Sequence, residues 1–300
     1  MIGRRTWSVL GVSAFLLVDI ALATWAMSTT RATTPETPGP IPTFASVPSS
    51  RPTPTETSTP IPLTAQAAPR LFAAVSATEA YRATRGTCTG PAAVLEKTTD
   101  AGATWVPLPT TRYNLHTLLA LSGATDTHLA AVAGLKANCA VGAYASFTGG
   151  QFWQGYPANL ADASYIDPRS PDTIHTPTGA EQSPCPTALQ LARGFSSTAV
   201  LCSGTVAVRV DGAAWTITQV PGVLALTASD SGYTLAVAGA GGCPGIAIES
   251  LTAGASDSTL IGCLASLPAP AELTIGQSGN TLWVWSGAAT MISNDAGKTW

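Results

Sequence analysis

The densest group of residues able to do chemistry lies between 157 and 186, in PANLADASYIDPRSPDTIHTPTGAEQSPCP. Tyr165, Asp167, Arg169, Asp172, His175 and Glu181 supply carboxylates, an imidazole, a cation and an aromatic ring within one short stretch. Two carboxylates flanking a cleft suffice for glycoside hydrolysis, and a polar insertion on a rigid scaffold suffices for binding. The residues leave two readings open, a binding surface and an inert insertion. Elsewhere the signals thin out. There is no G-x-S-x-G elbow, and His116, His128 and His175 stand in no H-E-x-x-H or triad pattern. No CxxC pair or Cys/His cluster offers a zinc site, so neither a metal nor a cofactor is expected. Gly239-Ala240-Gly241-Gly242 is rich enough in glycine for a phosphate loop, but no helical pattern follows it and it reads as a turn. Glu249 reads as a solvated edge position, and Trp283 and Trp285, two apart on one strand, as packing residues.

The elements that would hold these residues are strands. The chain closes on SNDAGKTW, residues 293–300, and has already used TTDAGATW at 98–105. Three degenerate copies lie between, SFTGGQFW from Ser146, VRVDGAAW from Val208 and SLTAGASD from Ser250. The starts at 98, 146, 208, 250 and 293 are separated by about 48, 62, 42 and 43 residues, the length of a four-stranded propeller blade. Gly102, Gly150, Gly212, Gly254 and Gly297 fill the fifth position, and Trp105, Trp153, Trp215 and Trp300 the eighth. Before each copy come two short apolar strands, a glycine and a third strand; after it comes a fourth, as in TWVPLPT. Short strands with regular turn signals and no helical period predict an all-β fold, a five-bladed β-propeller of four-stranded blades over 60–300.

The phrase resembles the Asp box, or BNR repeat, of β-propellers, a group that includes sialidases, sortilin-type receptors and photosystem-assembly factors of the Ycf48/Hcf136 kind. The complete copies are Thr98, Asp100, Gly102, Trp105 and Ser293, Asp295, Gly297, Trp300; Ser146, Gly150, Trp153, Gly212, Trp215, Ser250 and Gly254 are what the others keep. The resemblance implies a turn between the third and fourth strands, closed by the aspartate and opened to positive φ by the glycine. It specifies a fold and almost no activity. A sialidase would need three arginines, a Tyr–Glu nucleophile pair and an acidic Asp on six blades. No arginine here lies in that family's motif, and five blades fall short.

In such a ring the six cysteines, Cys88, Cys139, Cys185, Cys202, Cys243 and Cys263, fall on the face opposite the repeated phrase. Proximity suggests Cys88–Cys139, Cys185–Cys202 and Cys243–Cys263, among fifteen formal connectivities. An even count in an exported chain reads as disulfides. Export is expected from the N-terminus. Arg4 and Arg5 precede an apolar run from Trp7 to Met27 that is long enough to span a bilayer. Residues 1–28 therefore read as a transmembrane anchor, or else a cleaved signal peptide. Residues 29–59, rich in Pro, Thr and Ser, read as a disordered stalk. Since Trp300 leaves the last blade without its fourth strand, residues 61–66 are expected to supply it from the other end.

The formal net charge of −3 and the absence of a basic run exclude an electrostatic nucleic-acid surface. The sequence thus points to a non-catalytic binding or assembly scaffold. It would be single-pass in the cell membrane, facing outward, or secreted after cleavage, with an extracytoplasmic protein or glycan as partner. An exported sialidase-like glycosidase and an assembly factor for a membrane complex are the alternatives.

Overall fold

The computed structural model describes residues 70–136, 138–267 and 272–300. They form six antiparallel sheets. Blade one holds β1 (Arg70–Ala74), β2 (Ala80–Thr84), β3 (Val94–Thr98) and β4 (Val106–Leu108). Blade two holds β5 (Leu115–Ser122), β6 (Leu129–Leu135), β7 (Val141–Ser146) and β8 (Gln154–Gly155). Blade three has three strands, β9 (Tyr165–Ile166), β10 (Thr173–Thr176) and β11 (Gly179–Gln182). Blade four holds β12 (Gln190–Arg193), β13 (Ser197–Leu201), β14 (Val206–Val210) and β15 (Thr216–Ile217). Blade five holds β16 (Val223–Ser229), β17 (Gly232–Ala238), β18 (Ile246–Thr252) and β19 (Thr259–Leu264). Blade six has β20 (Leu273–Ser278), β21 (Thr281–Ser286) and β22 (Ala289–Ser293). The innermost strands touch in cyclic order, and β20 meets β1, so the ring closes. The chain is a six-bladed β-propeller.

The expected number of blades was five, and the sixth is the stretch 157–186. It carries no repeated phrase and no tryptophan. Its strands are very short, so a whole blade fits inside the 146-to-208 interval. What makes it a blade is burial: Ile174 is fully enclosed, and Tyr165 and Ile166 are nearly so. Ile174 and Ile166 pack with Val200 and Ala207 of blade four, and Tyr165 with Leu119 and Val132 of blade two. A free loop would not place three apolar side chains against both neighbours.

The core is not one mass but a series of seams between blades. Leu95 and Leu118 help fill the seam of blades one and two, Leu201 and Leu235 that of four and five, and Ile248 and Val284 that of five and six. Each such fully buried side chain contributes about 1.5–3 kcal/mol. The ring-closing seam is aromatic: Phe72 lies 5.7 Å from Trp283 and 6.1 Å from Trp105, centroid to centroid. Trp283 donates from Nε1 to the Ser76 carbonyl at 2.8 Å, and Trp285 is buried beside it. Both therefore pack between blades. Two seams also hold an arginine against a tryptophan. Arg82 lies 4.1 Å from Trp105 and pairs with Glu96 at 2.7 Å; Arg209 lies 4.5 Å from Trp215 and pairs with Glu181 across blades three and four.

The repeated phrase forms the turn between the third and fourth strands. Thr98 Oγ1 accepts from the Gly102 N–H at 3.0 Å and donates to Asp100 Oδ1, which also accepts from the Thr104 N–H at 2.9 Å. Ser293, Asp295, Gly297 and Thr299 repeat these bonds. In the degenerate second copy Ser146 still accepts from Gly150, and Thr148 Oγ1 takes over the aspartate's role by accepting from the Phe152 N–H at 2.9 Å. The five fifth-position glycines all have positive φ, from 79° at Gly212 to 97° at Gly297. Ser250, whose copy also lacks the aspartate, makes no corresponding side-chain bond among the described residues.

Three disulfides join Cys88 to Cys139, Cys185 to Cys202 and Cys243 to Cys263, with Cα–Cα distances of 5.4, 6.0 and 5.6 Å. The first ties blade one to blade two and the second ties blade three to blade four. Among the described residues no helix is long and apolar enough to cross a membrane. The expected anchor (1–28), stalk (29–59) and closing strand (61–66) lie outside the described residues.

Candidate functional site

The six inner strands enclose an axial cavity of about 470 Å³. Most of its wall is Ala, Leu, Ile and Gly, because inner strands crowd where the blades converge and small or aliphatic side chains fit there. Against that wall stand Arg70, Arg85, Arg193 and one carboxylate, Asp162. The cavity is thus cationic in a protein of net charge −3.

The three arginines differ in how they are compensated. Arg193, at the end of β12, makes a two-pronged pair with Asp211 at 2.6 Å on both oxygens. That hydrogen-bonded carboxylate raises its pKa. Arg70, at the start of β1, binds the Glu272 carboxylate at 2.7 Å and carbonyl at 2.9 Å and stacks 4.2 Å from Trp285. Burial lowers its pKa, and Glu272 opposes the shift. Arg85 has no carboxylate partner among the described residues. Its Nε donates to the Leu118 carbonyl at 3.2 Å, and burial alone pushes its pKa down. A desolvated guanidinium without a counter-charge, at the wall of a cavity, is a site that favours an incoming anion.

Local structure fixes Arg85 closely. It follows β2 and begins the loop to β3, on the disulfide face. The Leu118 N–H donates to the Arg85 carbonyl at 2.8 Å, and Thr117 Oγ1 donates to the Gly86 carbonyl at 3.2 Å. The Ala93 N–H donates to the His116 carbonyl at 2.8 Å, which holds the far end of the loop on β5. Gly86 has φ +65°, and a side chain there would strike backbone atoms of Ala93 and His116. The Cys88–Cys139 bond pins the same loop to blade two.

The residues singled out between 157 and 186 are only partly brought together. Tyr165 and His175 stack at 4.3 Å with their planes 5° apart, and His175 Nε2 lies 3.3 Å from Asp167 Oδ2. Burial would raise the Asp167 pKa, but the Arg169 N–H and His175 outweigh it and the net shift is downward. Tyr165 lines the axial cavity; Arg169 is exposed and Asp172 accepts from Thr173 at 3.4 Å. Glu181 serves the seam with Arg209. Most of the set therefore builds a blade, contrary to the loop expected there. Glu249 is buried rather than at a solvated edge and accepts from Ser258 Oγ. Among the described residues no three His, Cys, Asp or Glu side chains gather as metal ligands.

Six blades remove one objection to a sialidase-like site, and three arginines line the cavity. The chemistry is nevertheless different. Two of the three already hold their own carboxylates. Tyr165 is made less acidic, by burial first and Asp167 second, which is opposite to what a tyrosine nucleophile needs.

No protein-family model matches the chain, and no curated protein matches it significantly. Among solved structures, one described as "YCF48 bound to D1 peptide" is similar at 17% identity and TM-score 0.41, over 81% of this chain and 83% of that one. Another, YCF48 from Cyanidioschyzon merolae, is similar at 15% identity and TM-score 0.30, over 74% of this chain and 65% of that one.

Proposed function

We propose that the protein is a non-catalytic, extracytoplasmic binding or assembly scaffold that takes an anionic group of its ligand into the axial cavity. The observation that carries this reading is Arg85, a cavity-lining cation with no carboxylate partner among the described residues. A carboxylate placed there would gain charge-assisted hydrogen bonds of about 1.5–3 kcal/mol. Small aliphatic walls suit a slender ligand, such as an extended chain end or a single acidic sugar. In the assembly form of this reading the occupant is an anionic segment of a client protein in a membrane complex. The N-terminal apolar run would tether the propeller to the cell membrane, and the repeated turns are read as Asp boxes with a purely structural role.

The test is a paired panel on the immobilised protein and its Arg85→Gln variant. The panel holds peptides with free or amidated C-termini, and acidic or neutral glycans. Retained ligands are expected to be anionic, to weaken with salt, and to lose at least about tenfold in affinity on Arg85→Gln. Uncharged ligands, or equal affinity for both proteins, would contradict the proposal. Turnover of an acidic glycan would favour the glycosidase instead.

A further inference from the structure

The wall of the axial cavity holds acceptors as well as the Arg85 donor. Asp162 is the one carboxylate among the lining residues, and its side chain makes no ion pair or hydrogen bond among the described residues. Two positions on, Ser164 also lines the cavity, and its Oγ is buried without a hydrogen-bond partner. A buried hydroxyl left unpaired costs stability, so an orphan on a cavity wall calls for a group that enters the cavity. The neighbouring amides are already engaged. Gln190 Oε1 accepts from the Leu226 N–H at 3.0 Å, and Gln277 bonds to Thr234 and to the Gly279 carbonyl. We infer that the ligand of this cavity is bipolar, carrying a primary ammonium for Asp162 and Ser164 in addition to the anion taken by Arg85. The inference rests on the reading of Arg85 given above and narrows its ligand class.

Local structure sets the acceptor pole. Between the outer strand β8 and the inner strand β9 the chain makes a 3-10 turn at Pro157–Leu160. The Asp162 and Ala163 N–H groups close onto the Asn159 and Leu160 carbonyls at 3.3 Å. Tyr165 then anchors the start of β9 against Leu119 and Val132. Asp162 and Ser164 are thus held between two fixed points.

Arg85 and Asp162 do not neutralise each other. No ion pair joins them, and burial alone shifts the Arg85 pKa. A ligand with only an anion answers Arg85 and leaves Asp162 unanswered. A second negative charge would be repelled by Asp162, which acts against polyanions. An ammonium supplies three donors and no acceptor, enough for a carboxylate and a hydroxyl together. Since the two poles are not in contact, the ligand must separate its charges by several bonds, as an ω-amino acid or a peptide end carrying a lysine does.

The experiment is calorimetric titration of the full chain with γ-aminobutyrate, ε-aminocaproate and ω-aminocaprylate, each beside butyrate, caproate or caprylate, and with adipate. At least one amino acid is expected to bind about tenfold or more tightly than its matching alkanoate. Adipate is expected to bind more weakly than caproate. Asp162→Asn, an isosteric change at an exposed residue, should abolish both differences without weakening the alkanoates, and Arg85→Gln should weaken every ligand. Equal affinity within every pair, or a gain that survives Asp162→Asn, would overturn this inference, while alkanoate binding that depends on Arg85 would leave the wider reading standing. No binding by either series, or binding that Arg85→Gln leaves unchanged, would overturn both.

Discussion

Replacing Gly86 with alanine tests how the fold positions its channel cation. Gly86 has φ +65°, and an added Cβ would lie 2.3 Å from the Ala93 nitrogen, 2.6 Å from the His116 carbonyl oxygen and 2.7 Å from the Ala92 carbonyl carbon. All three are backbone atoms, two of them joined by the bond from the Ala93 N–H to the His116 carbonyl, so none can swing aside as the end of a side chain would. The left-handed conformation costs an alanine about 1–2 kcal/mol, and overpacking a rigid site costs about 1–3 kcal/mol more. Reduced freedom of the unfolded chain returns about 0.4–1 kcal/mol. The net loss is about 2–4 kcal/mol, which for a domain of this size lowers the melting temperature by roughly 5–15 °C. Gly279→Ala is the control, because Gly279 has φ +53° but open space around its Cβ, so only the conformational cost applies. Thermal unfolding followed by circular dichroism gives both numbers. A Gly86→Ala midpoint within about 2 °C of the parent, or no lower than Gly279→Ala, would refute the reasoning.

Two further outcomes follow from the charges. Asp100 and Asp295 are each held at a pKa of about 2, Asp100 first by Thr104 and Asp295 first by Ser293. A depressed carboxylate stabilises the fold fully above its unfolded value near 3.9 and loses that contribution as pH falls through about 2. NMR titration should place both midpoints near 2, with Asp100 moving up in Thr104→Val; midpoints near 4 would contradict the turn geometry. Glu181→Ala leaves Arg209 half-enclosed without its carboxylate and should cost about 1–3 kcal/mol; a denaturant midpoint equal to the parent's would show that the seam does not depend on the pair.

The parts of this protein that were legible in its sequence are those that repeat. Thr98–Trp105 and Ser293–Trp300 fixed the turn, and their echoes located five blades and placed the cysteines in pairs. Blade three was illegible because its turn lacks the aspartate, glycine and tryptophan, and because its inner strand is the two residues Tyr165–Ile166. The polar density of 157–186 resembled a loop, when Glu181 and His175 were partnered within and between sheets. Arg85 was illegible for another reason. Nothing local marks it, since its position depends on six strands from across the chain meeting at one axis. The nearest clue was Arg70 and Arg193, each a charged residue at one end of a short inner strand, RLFAA and QLAR. Counterions such as Glu272 and Asp211 are distant in sequence from Arg85, so its lack of a carboxylate partner among the described residues is a property of the fold.

The account rests on an axial cavity formed by six inner strands, with Arg85 as the arginine that has no carboxylate partner among the described residues. A crystal structure of the protein soaked in bromide tests this most directly, because anomalous scattering locates the anion. The account predicts six blades and a bromide against the Arg85 guanidinium, absent in Arg85→Gln. A carboxylate already paired with Arg85, a cavity without bromide, or a ring with another number of blades would contradict it.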